Sequence, residues 1–284
     1  MALTWPVALA VLFGALLHAS WNALVKSSTD KEMDTALIHL IGSLMAIPLV
    51  LLMGLPPRSA WPYLVVSITI HIGYYFALTG AYRHGELGLT YPLMRGVAPL
   101  LVALSASFTL HEQLSLLAWL GVLGISLGVL TLGLSQHAFD APKAVAFALA
   151  NAVIIAVYTV VDGLGVRAAG TTLTTTLQYV ATLFMFDGWP FALIILAQRR
   201  GALPRYARQR WPLASVGALA SLGSYGIALW AMTRAPVAMV VALREVSVLF
   251  AVVIGALVLG EALTLRRIVG ALVIIAGVMA LRLG

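Results

Sequence analysis

Apolar residues run through this chain in long continuous blocks, without the strict alternation of half-buried strands or the one-sided periodicity of soluble helices. A membrane helix needs about 20 mostly apolar residues to cross roughly 30 Å of hydrocarbon. Ten stretches meet that requirement: 3–25, 35–55, 62–82, 88–110, 115–134, 142–166, 172–197, 212–233, 236–259 and 264–282. The runs are unbroken, which excludes the alternating strands of a membrane β-barrel. The longest connection, about Gln198 to Trp211, is too short for a soluble domain. Segment 3–25 lacks a basic leading region and runs into His18, Trp21 and Asn22, so it is expected to be a span and not a cleaved signal. The pattern predicts an all-α polytopic membrane protein with ten transmembrane helices.

Pro6, Pro62, Pro142, Pro212 and Pro236 each fall near the predicted start of a span, where a missing N–H costs least. Trp5, Trp61 and Trp211 precede three of them, as interfacial indoles do. Composition agrees: 62% of residues are hydrophobic and 10% charged, against roughly 45–50% and 25% in soluble domains. The chain has no cysteine, which removes disulfides, iron–sulfur clusters and Cys-type zinc sites. Its net charge of +7 is scattered or gathered in one short segment, so it reads as membrane orientation and not as a nucleic-acid surface.

A shift of 149 residues superimposes 75–135 on 224–284 without a gap. Arg95 then meets Arg244, Glu112 meets Glu261, Gly121 meets Gly270 and Gly128 meets Gly277, while the Trp61-Pro62 and Trp211-Pro212 pairs correspond at 150. The organisation expected is a first five-helix repeat over 1–135, a linker over 136–141 and a second repeat over 142–284. Because five is odd, the copies enter the membrane from opposite faces. Inverted repeats around a midplane site are characteristic of secondary transporters.

The stretches YPLMRGVAPLLVALSASFTLHEQLSLLAWLGVLGISLGV and ALREVSVLFAVVIGALVLGEALTLRRIVGALVIIAGV look like paired EamA domains of the drug/metabolite transporter superfamily. The similarity spans essentially the whole chain and is strongest in the last two helices of each half. Its most specific element is the motif closing each fourth helix, here His111-Glu112 and Gly260-Glu261; His111 departs from the usual Gly-Glu. The resemblance implies a ten-helix carrier whose two inverted repeats enclose a central cavity. Characterised members include bacterial exporters of amino acids, aromatic ones among them, and others that carry sugars, nucleotide sugars, triose phosphates or drugs.

Counting Lys and Arg in alternate loops gives eleven on one face (Lys26, Lys31, Arg83, Lys143, Arg199, Arg200, Arg205, Arg208, Arg210, Arg266 and Arg267) and four on the other (Arg58, Arg167, Arg234 and Arg282). The positive-inside rule makes the eleven-charge face cytoplasmic and puts both termini on the outer face of a bacterial-type inner membrane.

Polar side chains at membrane depth are costly and usually face a cavity. His18, Trp21 and Asn22 fall within one turn, and His71, Tyr75, Thr79 and Tyr82 along one face of the third span. The sixth span has Asn151, Tyr158, Thr159 and Asp162, the seventh Gln178 and Thr182, and the second His39 and Ser43. The candidate substrate-binding set is Trp21, Asn22, His71, Tyr75, Thr79, Tyr82, Asn151, Tyr158 and Gln178, with the first helix expected to pair with the sixth and the third with the eighth. Interhelical hydrogen bonding is the alternative for each, and the better one for Ser43, Thr159 and Thr182 taken singly. Tyr82 and Asp162 lie near predicted span ends, where an interface position explains them equally well.

His18, His39, Arg95, Asp162, Asp187 and Arg244 are candidates for gating or coupling. Arg95 and Arg244 occupy equivalent places, and either bind substrate carboxylate or serve a shared structural duty near Pro92 and Pro99. Asp187 falls mid-span before Gly188 and Pro190, where a kink is expected. Gly121, Gly124, Gly128, Gly270 and Gly277 permit close helix approach, within one chain or between two. Glu112 and Glu261 are expected to cap short turns.

The reading that results is a secondary transporter exporting small amphipathic metabolites, neutral or aromatic amino acids first among them. Export of drugs or purine-like compounds is the alternative; an intramembrane enzyme is more remote, since no HExxH or similar spacing occurs. No cofactor or metal is expected. The partners are a small-molecule substrate and membrane lipid, with no nucleic acid, and a monomer is favoured over a homodimer.

Overall fold

The computed structural model describes residues 3–85, 87–133, 141–199, 201–258 and 263–284; among their side chains, those of Thr79, Tyr82, Leu87, Leu203 and Val258 fall outside the description. The linker residues 136–140 and the Gly260-Glu261 motif therefore lie outside the described residues. Those described form eleven α-helices and one 3-10 turn, with no strand among them. They are α1 (Trp5–Lys26), α2 (Lys31–Met53), α3 (Trp61–His84), α4 (Leu87–Thr109), α5 (Leu116–Gly133), α6 (Pro142–Ala169), α7 (Leu173–Gln198), α8 (Ala202–Met232), α9 (Val237–Arg244), α10 (Ser247–Val258) and α11 (Leu265–Leu283). Eight segments are long and apolar enough to cross a membrane, with Leu116–Leu132 a shorter apolar helix. The remaining expected span, α11, carries Arg266, Arg267 and Arg282. Leu51, Leu52, Phe108, Leu116 and Leu257 are among many large apolar side chains left exposed, a surface suited to lipid and costly in water.

Two boundaries differ from expectation. Pro212 does not start a helix: α8 begins at Ala202 and carries Pro212 inside it. Its first turns are anchored to α2, with Tyr206 Oη and Arg210 Nη2 donating to the Asp34 carboxylate at 2.9 and 2.7 Å. This tie holds a basic segment helical that reads as a loop in sequence. The ninth expected span, 236–259, is divided into α9 and α10 by a turn at Glu245 and Val246. Pro6, Pro62 and Pro142 do open their helices, and Pro236 is the N-cap of α9.

Helices of the first half pack chiefly on helices of the second. The pairs α1 with α8, α3 with α6, α2 with α7 and α5 with α11 dominate. The pairing is thus crossed, and not first with sixth and third with eighth. Exchanging the halves (1 for 6, 2 for 7, 3 for 8, 5 for the last) maps this set of pairs onto itself. Gly121, Gly124 and Gly128 meet Leu281, Gly277, Ile274 and Gly270 backbone, so these glycines are used in the α5–α11 seam of one chain.

The two ends of the bundle are built differently. At the end bearing Arg58, Arg167 and Arg234, one large cluster runs from Val7 and Val11 through Leu64, Tyr179, Leu183 and Leu229 to Val240. Toward the basic end, burial divides into an α2–α7–α8 cluster around Leu37, Phe191 and Ala218 and an α4–α6 cluster around Met94, Ala98 and Ala152. Of the side chains packed against them, Tyr74 touches both.

Glu112 joins the halves at the single-cluster end. Its carboxylate accepts from the Val237 and Ala238 amides at 2.8 and 3.3 Å, capping α9, and from Arg167 Nη2 at 2.9 Å. Arg167 also donates to the Met232 and Ala235 carbonyls. Glu112 was expected to cap its own turn; it caps a helix of the other half, because the α4–α5 turn abuts the start of α9. His111, beside it, has φ +52°, a left-handed conformation that disfavours a side chain. Replacing His111 with glycine is expected to raise stability by about 1 kcal/mol, read as a higher melting temperature.

Candidate functional site

Seven rings from α1, α2, α3 and α6 form a continuous wall near the middle of these helices. Centroid separations are 5.3 Å for His18–Trp21, 6.2 Å for Trp21–His39 and 5.8 Å for His39–Tyr75. The series continues through Tyr75–Tyr74 at 5.4 Å, Tyr74–Tyr158 at 6.0 Å and Tyr158–His71 at 4.3 Å. Trp21, Asn22, Tyr74 and Tyr158 are only partly buried, so this wall is not sealed. It lies between the two separate clusters of the basic end.

Charges from both halves meet beside the wall. Arg95 Nε of α4 is 2.9 Å from Glu245 Oε2, in the turn that ends α9, and both residues are buried. The contact is an ion pair, and Arg95 Nη2 has no hydrogen-bond partner among the described residues. Arg244 lies over the Tyr225 ring, 5.2 Å from its centroid, and its Nη2 is 3.4 Å from His18 Nδ1. Trp21 Nε1 also points at His18 Nδ1, at 3.3 Å. Indole and guanidinium nitrogens only donate, so Nδ1 must accept and His18 is held as the neutral Nε2–H tautomer. The break between α9 and α10 resembles the discontinuous helices that place charged groups in carrier sites.

Two buried carboxylates stand behind the wall. Asp162 is fully buried, because α6 continues to Ala169, and accepts from Tyr179 and Tyr225 hydroxyls. Asp187 Oδ2 accepts from Tyr75 Oη at 3.2 Å and is 3.9 Å from His39 Nδ1, while its Oδ1 has no hydrogen-bond partner among the described residues. Here α2 bonds directly to the backbone of α7. The Ser43 hydroxyl of α2 donates to the Phe184 carbonyl at 2.6 Å and accepts from the Gly188 amide at 3.0 Å, so it bonds both ends of one turn of α7.

The structure brings His18, Trp21, Asn22, His39, His71, Tyr75, Arg95, Tyr158 and Arg244 into one central zone, with Asp162 and Asp187 bordering it. Two candidates lie elsewhere. Gln178 donates to the Met53 carbonyl at 2.6 Å, at the end of α2. Asn151 packs between α6 and α4, its amide 2.8 Å from Met94 Sδ. The side chains of Thr79 and Tyr82 lie outside the described ones. Sequence reasoning missed Tyr74, Tyr179, Tyr225 and the pairing role of Glu245. Tyr225 lies one place beyond Ser224, the 149-residue partner of Tyr75, and both tyrosines donate to a buried aspartate.

Among the described residues no three His, Asp or Glu side chains converge as a metal group. At the basic end, outside the spans, the hydrogen bond from Arg199 to Glu32, with Asp30 nearby, raises the Arg199 guanidinium above its ordinary pKa.

Fold and interior define a polytopic helical membrane protein with a polar, charged centre. Residues 142–283 match the EamA-like transporter family. The chain belongs to that family, a family of small-molecule transporters and not of enzymes, within the drug/metabolite transporter superfamily. A solved structure titled "Crystal structure of protein" is 21% identical, covers 98% of this chain and 96% of its own, and superposes with a TM-score of 0.76, showing a shared fold. No curated protein matches the sequence.

Proposed function

We propose that the chain is a ten-span secondary carrier of two inverted five-helix repeats that exports small amphipathic metabolites by alternating access, neutral and aromatic amino acids being the leading substrates. The observation that carries this reading is the half-buried ring wall around Trp21 beside charges contributed by both halves. Such a surface accepts a zwitterion with an apolar side chain: rings for the side chain, polar groups for the two ends. The exchange-symmetric helix pairing supports an inverted repeat. Single-cluster packing at one end and divided packing at the other support a conformation open toward the basic end, and rocking of the halves exchanges the two. By its charge the basic end is cytoplasmic, which puts the termini outside and the protein in an inner membrane of bacterial type. The α5–α11 glycines being occupied within one chain favours a monomer.

Cells expressing the protein and challenged with toxic aromatic and aliphatic amino-acid analogues are expected to survive better than cells without it. Trp21→Ala or Asn22→Ala is expected to reduce that protection at least about tenfold in analogue efflux, at equal protein level. Equal sensitivity with and without the protein across the whole panel overturns amino-acid export and directs attention to drugs or purine-like compounds.

A further inference from the structure

Arg244 is a mid-membrane cation whose guanidinium touches no carboxylate among the described residues. Among the described residues no carboxylate lies within ion-pair distance of it, and its buried Nε has no hydrogen-bond partner. Its contacts are a neutral imidazole and an aromatic face, which orient a guanidinium without cancelling its charge. Its repeat mate Arg95 is paired, by Glu245 of the other half.

The difference has a local cause. Under the 149-residue shift Glu245 corresponds to Gly96. A Cβ on Gly96 would fall 2.7 Å from Leu130 Cγ and 3.1 Å from the Ser126 carbonyl, so no acidic side chain fits there. Two arginines thus share one glutamate, while the bordering Asp162 accepts from the Tyr179 and Tyr225 hydroxyls and Asp187 from Tyr75, so that among the described residues Arg244 has no carboxylate in contact. An uncompensated charge in a low-dielectric interior is costly, and the cost is removed by an anion. Directly beside this charge Trp21 presents a half-buried apolar face, and Asn22, whose amide donates to the His18 carbonyl at 2.7 Å, keeps its Oδ1 as an acceptor.

We infer that Arg244 receives the carboxylate of the transported substrate, with Trp21 against its side chain, so that the carrier selects amino acids and related organic acids over uncharged or cationic amphipaths. This rests on the carrier reading above and narrows it to carboxylates. Arg95, neutralised by Glu245, is the fixed partner of the pair and Arg244 the one that exchanges ligand for water as the halves rock.

The test is binding to the purified full chain, followed by tryptophan fluorescence and thermal shift. The probes are phenylalanine, 3-phenylpropionate and phenylalaninol, with leucine, isocaproate and leucinol as the aliphatic set. Members with a carboxylate are expected to bind at least about tenfold tighter than the matching alcohols. The gap should collapse in Arg244→Gln and be partly kept in Arg244→Lys. Alcohols that bind as tightly as acids, or a gap that survives in Arg244→Gln, overturn the inference and leave the carrier standing. Failure of every probe to bind the native protein overturns the amino-acid reading together with it. Should Arg244→Gln not fold, the acid-to-alcohol comparison on the native chain decides alone.

Discussion

Replacing Glu245 with alanine is expected to lower stability by about 3–5 kcal/mol, more than any other single charge deletion in the molecule. The carboxylate is buried, 2.9 Å from Arg95, and adjoins Arg244 in sequence. Its loss leaves two unpaired guanidinium groups facing each other where water is scarce, so desolvation and mutual repulsion act in the same direction. Glu245→Gln keeps the shape without the charge and is expected to be nearly as damaging. The double variant Arg95→Met/Glu245→Met removes both charges and should recover most of the loss, because a buried pair contributes little beyond the cost of burying it. Thermal unfolding of these proteins together with the Arg95→Met and Glu245→Met single variants, in one detergent, completes the cycle. Glu245→Ala melting with the native protein would show that Arg95 is neutralised by something else.

The second large effect is expected at Gly188. A methyl group there would collide with the His39 carbonyl of α2 and with the Ser43 hydroxyl. Backbone cannot rotate aside as a side chain can, so Gly188→Ala must push α2 and α7 apart along their contact. The expected cost is at least about 3 kcal/mol, with transport lost, since this crossing also sets the Tyr75–Asp187–His39 contacts. Gly42→Ala is the matched control. Its Cβ would meet Phe184 Cδ1 at 3.6 Å, ordinary van der Waals contact, and the change is expected to stay within about 0.5 kcal/mol. Equal melting temperatures for the two variants would remove the close approach from the account.

Several central residues were visible in the sequence because their burden is visible there. A His, Trp and Asn within one turn of an apolar span, or an Arg repeated at a shift of 149, has few cheap explanations in hydrocarbon. Gln178 and Asn151 carried the same signal and went elsewhere. A polar side chain in a span must find a partner, but the span does not say whether that partner is a substrate, a helix end such as Met53 or a thioether such as Met94. Tyr74 and Tyr225 were overlooked for the opposite reason: a tyrosine in an apolar run looks like packing until its hydroxyl or ring is seen to meet another group.

By itself the sequence determined the solvent of this protein and its division into long apolar helices. Lipid imposes a length and an apolar density on every span, and both are properties of consecutive residues. The tertiary structure alone decided which helices cross, that Glu112 caps a helix of the other half, that Ser43 bonds the α7 backbone, and that, among the described residues, Arg95 touches a carboxylate while Arg244 touches none. These depend on angles and distances between segments far apart in the chain, where a shift of one helix turn reassigns every partner.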